Sequence, residues 1–214
     1  KHPGLLDDES WVVLKKGDWF SLNFSHPYNK NYPDGHGHED FGSFVLYFQG
    51  RQLIADIGRF TYDDVFESGV SGKEGFSHSI VVLEDSKLKS RHNFFRRHGI
   101  VQDNIRRNFK KEEGTLNWEN SHRKYYWNRT LKINEKTIHI IDNIKAESAK
   151  SFFYLSPSCS VKAVLKNKVI VELHEVGNFE FEFKGIQKIS VKEVDFFPGY
   201  GIKKKTFRLR CEIS

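Results

Sequence analysis

The sequence predicts an all-β protein, an antiparallel multi-stranded β-sandwich, on three observations. Apolar and polar residues alternate with a period of two in short runs along most of the chain. Turn residues separate these runs at close spacing, and no long run has the 3.6-residue period of an amphipathic helix. The 19 Phe, 8 Tyr and 4 Trp among 214 residues exclude an intrinsically disordered chain. The length predicts one domain over residues 1–214.

The alternating runs predict the individual strands. Gly50 and Arg51 form a glycine-containing hairpin turn between two such runs. The run 179–183 (FEFEF) has the pattern of a half-buried strand, with Phe facing inward and Glu outward. The predicted strands are 10–14, 19–24, 43–48, 52–56, 79–83, 125–133, 137–144, 161–165, 169–173, 179–183 and 188–191.

Two segments lack this alternation and are predicted to be long loops. Residues 29–41 are rich in Tyr, Pro, Gly and His, and residues 86–120 are basic and weakly patterned. Long loops on a rigid β scaffold commonly carry binding and catalytic residues. We therefore expect function to lie near these segments.

The charge is divided unevenly along the chain. Residues 1–85 carry 7 Lys/Arg and 14 Asp/Glu, whereas residues 86–214 carry 27 and 14. The segment 86–132 alone has 13 basic and 4 acidic residues. Such a segment attracts polyanions, although a solvated basic surface without a partner explains the charge equally well. Nucleic acid is not expected, because no zinc-finger spacing or RNA-binding signature accompanies the charge.

Composition also bears on membrane spans and on the extent of the chain. No apolar stretch reaches 18 residues, so no membrane-spanning helix is predicted. The chain starts at Lys1 and contains no Met, so we expect a processed product or a piece of a longer protein. Cys159 and Cys211 leave two alternatives open, one disulfide or two buried thiols.

A histidine-rich stretch at residues 35–40 (GHGHED) is the strongest indication of chemistry. In an H-x-H arrangement on an extended backbone, two imidazoles project to the same side, which suits a shared metal ion. Asp56 follows His38 by 18 residues at the end of the returning hairpin strand, and His78 begins the next strand. Two imidazoles and one carboxylate would form a Zn²⁺ site with a fourth position for water. The alternative is that His78 caps a strand and Asp56 closes a turn.

These motifs together resemble a known family. The run 36–46 (HGHEDFGSFVL) has the pattern H-x-H-x-D-x-x-S-F-x-L, and the run 50–62 (GRQLIADIGRFTY) has G-x-x-L-I-x-D-x-G-x-x-x-Y. The strand 78–82 (HSIVV), the run 129–144 and Gly199-Tyr200-Gly201 complete the pattern. The sequence resembles the C-terminal β-sandwich domain of the heparinase II/III family of polysaccharide lyases.

The resemblance implies a site and a reaction. It implies a structural Zn²⁺ held by His38, Asp56 and His78, a catalytic His36, and Tyr62 as an active-site residue. It implies β-elimination of an anionic, uronate-containing polysaccharide by a periplasmic or secreted bacterial enzyme. The family's N-terminal (α/α) toroid, which supplies further catalytic groups, is absent from these 214 residues, so the isolated domain is expected to be inactive.

Chemistry assigns further roles within this interpretation. A neutral imidazole suits proton abstraction near neutral pH, and a Zn²⁺ ion close to His36 would disfavour the imidazolium. Guanidinium groups bind carboxylates and sulfates bidentately. The candidate substrate-binding residues in the basic segment are Arg96, Arg97, His98, Arg106 and Arg107.

Two other functions remain open on the sequence. One is a non-catalytic carbohydrate-binding or processing domain of surface polysaccharide metabolism that keeps zinc for stability. The other is a cupin-like metal enzyme, which would need a second motif containing both Pro and His. The segment 69–82 has His78 but no Pro, which disfavours the cupin-like alternative.

Overall fold

The structure is a computed structural model that describes residues 11–24, 42–58, 78–84, 106–112, 115–122, 125–146, 148–199 and 201–213. Every regular element among these residues is a β-strand, which confirms the predicted all-β class. No helix within these ranges has the length and apolarity needed to cross a membrane. The strands are β1 Trp11–Lys16, β2 Trp19–Phe24, β3 Phe44–Phe48, β4 Arg51–Ala55, β5 Val81–Glu84, β6 Arg106–Glu112, β7 Thr115–His122, β8 Tyr125–Ile133, β9 Ile138–Lys145, β10 Ser148–Leu155, β11 Cys159–Val164, β12 Lys168–Leu173, β13 Gly177–Glu182, β14 Lys188–Gly199 and β15 Ile202–Ile213.

The strands form three sheets. The largest has eight strands in the order β1-β2-β3-β4-β10-β15-β14, and β5 also pairs with β10. A four-stranded sheet has the order β6-β7-β8-β9, and a three-stranded sheet has the order β11-β12-β13. All the strand pairs are antiparallel, as predicted.

One hydrophobic core joins the three sheets. The eight-stranded sheet contributes Phe44 and Leu209, the four-stranded sheet Leu116 and Leu131, and the three-stranded sheet Val169, all of them fully buried. On strands such as β12, alternation directs one row of side chains to this shared core and leaves the other row partly exposed. Packing of sheet on sheet over a common core is the defining feature of a β-sandwich.

Part of the predicted loop 86–120 is strand. Arg106–Glu112 and Thr115–His122 form β6 and β7 of the four-stranded sheet. On β7, Leu116 and Trp118 are fully buried, while Asn117 and Glu119 between them are partly exposed. Two apolar side chains among polar ones give a weak alternation signal, and β6 lies at a sheet edge, where charged residues are common. The rest of 86–120 lies outside the described residues.

The central strand β10 was absent from the predicted set. Its last five residues, 151–155 (SFFYL), are all buried. A strand covered on both faces has no polar row to alternate with, so its period of two disappears. The predicted strand 188–191 is also longer in the structure, because β14 continues to Gly199 opposite β15.

The two cysteines do not form a disulfide. Cys159 and Cys211 are both free and buried. Burial raises the pKa of Cys159 to about 11 and that of Cys211 to about 12. Of the two alternatives, a disulfide or two buried thiols, the structure has the two buried thiols, and their reactivity is low.

Candidate functional site

Strand β10 brings together two segments that are far apart in sequence. β4 and β5 pair with the same side of β10, with Ala55 opposite Tyr154 and Val81 opposite Ser151. Both strands run antiparallel to β10, so the C-terminal end of β4 meets the N-terminal end of β5. The residues that follow β4 and precede β5 therefore lie beside each other.

Asp56 and His78 are in contact at this junction. Asp56 Oδ2 lies 2.6 Å from His78 Nδ1, and the imidazole is almost completely buried, with 2% of its side-chain area exposed against 28% for Asp56. Asp56 Oδ1 accepts a hydrogen bond of 3.2 Å from the Gly58 backbone N–H. Asp56 thus closes a local turn with one oxygen and contacts His78 with the other.

The turn after Asp56 is anchored to β14. The Phe197 N–H donates to the Ile57 carbonyl at 2.9 Å, and Gly58 forms a parallel bridge with Phe197. Gly58 has a φ of +73°, and a Cβ atom there would lie 2.0 Å from the Phe197 carbonyl oxygen. Only glycine fits this position without a shift of the backbone.

Ser79 links the His78 segment to both neighbouring strands. Its buried hydroxyl donates to the Ala55 carbonyl at 3.4 Å and accepts from the Tyr154 N–H at 3.3 Å. The Ile80 N–H donates to the His78 carbonyl at 3.0 Å, which tightens the chain immediately before β5. No sequence signal identified Ser79, because its partners come from strands 24 and 75 positions away.

Tyr154 is a second residue that the sequence analysis did not identify. It is 1% exposed and lies between Ala55 on β4 and Arg208 on β15. Burial raises the pKa of the Tyr154 hydroxyl, a hydrogen bond to Arg208 opposes this shift, and the charge of Asp56 adds to it. The Arg208 guanidinium also stacks over the Phe152 ring, 5.4 Å from its centroid. The carboxylate of Asp56 thus acts electrostatically on the buried Tyr154 hydroxyl.

The Asp56–His78 pair brings two types of zinc ligand together. A carboxylate oxygen and an imidazole nitrogen are both ordinary zinc ligands, and they converge here within hydrogen-bond distance. No group of three or more His, Cys, Asp or Glu side chains is arranged to hold a metal ion within the described residues. His38, the third ligand implied by the family resemblance, lies outside those residues.

The remaining sequence-predicted site residues are placed only in part. Arg106 and Arg107 begin β6, where they pair with Ser121 and Asn120 of β7, on a different sheet from Asp56 and His78. The other predicted residues lie outside the described part of the chain: His36, Tyr62, Arg96, Arg97 and His98.

Comparison with protein families gives one match over almost the whole chain. The family model described as heparinase II/III-like, C-terminal, matches residues 2–213. A comparison with curated proteins gives no match.

Solved structures of similar fold include polysaccharide lyases. A heparinase III, the BT4657 gene product, superposes with a TM-score of 0.72 at 17% identity, covering 99% of this chain and 33% of the other. The heparan sulfate lyase HepC from Pedobacter heparinus gives a TM-score of 0.67 at 16% identity, with coverages of 95% and 32%. A mutant of HepC gives 0.68 at 17% identity, with coverages of 96% and 33%. These likenesses establish the fold, and the chain spans about one third of the length of each structure.

Proposed function

Because this chain belongs to the heparinase II/III-like C-terminal domain family, we propose that it is the β-sandwich part of a polysaccharide lyase that cleaves an anionic, uronate-containing polysaccharide by β-elimination. Support comes from the fold shared with a heparinase III and a heparan sulfate lyase about three times as long. The remaining groups of the active site would come from an N-terminal toroid of the same protein.

In this proposal His36 acts as the catalytic base. Its neutral imidazole takes the proton from C5 of the uronate, a C4=C5 double bond forms, and the C4–O bond breaks. The departing oxygen takes a proton from an acid on the N-terminal domain. Tyr62 of this domain would be an additional proton donor or would position that oxygen. Imidazole suits the first step because its ordinary pKa lies near neutral pH.

His38, Asp56 and His78 would hold a Zn²⁺ ion beside this base. The observation that supports the site is the 2.6 Å contact between Asp56 and the buried His78. When bound, the ion would cross-link these segments as a structural site and keep nearby imidazoles neutral. His36 precedes a ligand by two residues and would be held in place with it.

The basic half of the chain would attract the substrate. An anionic polymer is drawn to a basic surface, and arginines bind its carboxylates or sulfates bidentately. We assign this role to Arg96, Arg97, His98, Arg106 and Arg107. An anionic extracellular substrate implies a periplasmic or secreted bacterial protein.

Replacement of His36 in the full-length protein tests the reaction. We expect His36→Ala to lower kcat on the anionic polysaccharide that wild type cleaves by about 10²- to 10⁴-fold, because a positioned base contributes that much. Turnover is followed by the ultraviolet absorbance of the unsaturated uronate product. His174→Ala, in an exposed turn after β12, is the matched control and should leave kcat unchanged.

Two outcomes would contradict the proposal. Unchanged turnover by His36→Ala would remove His36 as the base. Retention of the full-length protein on anionic polysaccharides without product formation would favour the non-catalytic carbohydrate-binding alternative. The 214-residue chain alone should give no product, because it lacks the proposed acid.

A further inference from the structure

The inward row of β8 contains a charged residue among apolar ones. Trp127, Leu131 and Ile133 on this row are buried and belong to the core, and Arg129 between them is 0% exposed. A buried guanidinium is costly unless its charge and its N–H groups are matched by partners. The partners of Arg129 therefore indicate what the residue does.

Asp142 on β9 provides the opposite charge. It lies directly across from Arg129 in the sheet, and the pair is bidentate, with Nε to Oδ1 at 2.8 Å and Nη2 to Oδ2 at 2.9 Å. The Trp127 indole Nε1–H also donates to Asp142 Oδ1, at 3.0 Å. This arrangement fixes both the position and the plane of the guanidinium.

The remaining nitrogen of Arg129 reaches two separate segments of the eight-stranded sheet. Nη1 donates to the Gly42 carbonyl at 3.1 Å and to the Ser79 carbonyl at 2.9 Å. Gly42 follows His38 by four residues, and Ser79 follows His78 directly. One guanidinium thus joins the backbone directly after His78 to the backbone at Gly42, just before β3.

Aromatic packing leaves this cluster little freedom. The guanidinium carbon lies 5.5 Å from the Trp127 ring centroid and 5.8 Å from that of Phe44. Gly42 has a φ of +81°, and a Cβ atom there would lie 2.4 Å from Trp127 Cη2. The indole that donates to Asp142 therefore also packs closely against the Gly42 backbone.

We propose that Arg129, held by Asp142, is the positioning residue of the metal site. It fixes the carbonyls of Gly42 and Ser79, and thereby the backbone directly after the proposed ligand His78. This inference rests on the proposed zinc site of the previous section. Lysine could keep the charge of Arg129, but its single ammonium lacks the planar fork that serves Asp142 and both carbonyls together.

Zinc affinity of the full-length protein tests this role. We expect Arg129→Lys to weaken zinc binding by about 10- to 100-fold in competition with a chelator, as loss of an outer partner of metal ligands does. The matched control is Leu173→Ala, which truncates a fully buried core residue of the three-stranded sheet. It should lower the melting temperature but leave zinc affinity within about threefold.

Hydrogen exchange separates a failure of this inference from a failure of the zinc site. In Arg129→Lys, the amides of 42–48 and 78–84 should exchange faster than in Leu173→Ala, with or without zinc. If wild type binds no zinc but Arg129→Lys still shows faster local exchange, the positioning role of Arg129 is supported and the zinc site is overturned. Equal zinc affinity and equal local exchange in the two variants would overturn the positioning role. If Arg129→Lys does not fold, Asp142→Asn should give smaller changes in the same direction.

Discussion

Asp56 has two contacts that serve different purposes. Its Oδ1 accepts from the Gly58 N–H, and its Oδ2 contacts His78. The local hydrogen bond fixes the rotation of the carboxylate, so the second oxygen is directed at the imidazole before any ligand binds. Gly58 is essential to this arrangement because it brings the turn against the Phe197 carbonyl.

Substitution of Gly58 tests the turn at the residue scale. We expect Gly58→Ala to lower the free energy of unfolding by about 2 kcal/mol, since a Cβ atom would strain the left-handed conformation and collide with the Phe197 carbonyl. Gly17→Ala is the matched control, because Gly17 also has a positive φ, +56°, but nothing lies within 4 Å of its Cβ position. Denaturant unfolding should show a loss of about 1 kcal/mol or less for that control. Equal losses for the two variants would contradict the close approach at Phe197.

The sequence was sufficient to predict Asp56 and His78 as neighbours, but not the residues that support them. The two lie in short motifs whose spacing along the chain is informative. Ser79 adjoins His78, but its partners lie 24 and 75 positions away, and Arg129 reaches Ser79 by a hydrogen bond across 50 positions. No local pattern specifies these contacts. The sequence signal for Arg129 is a charged residue in the inward-facing row of β8. Its role is recognised only once Asp142 is known to lie opposite it.

At the scale of elements, β10 organises the eight-stranded sheet. It pairs with β15 on one side and with both β4 and β5 on the other. Alternation was sufficient to predict most of the strands, including β2 and β8 with their observed bounds. It did not predict β6, β7, β10 or β15. The apolar run of β10 is covered on both faces, and β6 is a charged edge strand. A period of two appears where one face of a strand is buried and the other is not, and β10 is buried on both faces.

The long hairpin of β14 and β15 carries an electrostatic contact that makes its stability depend on pH. Lys203 and Lys205 hold the pKa of Asp195 below its usual value, and Asp195 pairs directly with Lys205. A depressed carboxyl pKa contributes stability above the unfolded value near 4, and this contribution is lost as the pH falls through the folded pKa.

Asp195→Asn should therefore cost less than about 1 kcal/mol at pH 7, because the lysines are exposed and screened. The difference between the unfolding curves of the variant and wild type should shrink as the pH falls below about 4, and it should also shrink in high salt at pH 7. A pH-independent difference would contradict the ionic origin.

At the scale of the whole molecule, three sheets share one core and present the Asp56–His78 pair where two strands meet end to end. The fold class followed from the sequence because the core-facing rows are regular. The choice of polysaccharide did not follow, because it depends on groups that we place in an N-terminal domain. The chain spans about one third of the similar lyase structures.

The proposed zinc site places the ion at Asp56 and His78, beside a histidine base. The most direct measurement is anomalous X-ray diffraction at the zinc edge from crystals of the full-length protein grown with zinc. We expect an anomalous peak within about 2.0–2.2 Å of an Asp56 carboxylate oxygen and a His78 ring nitrogen, with His38 as the third ligand. Absence of a peak at Asp56 and His78 in zinc-grown crystals would overturn the proposed zinc site.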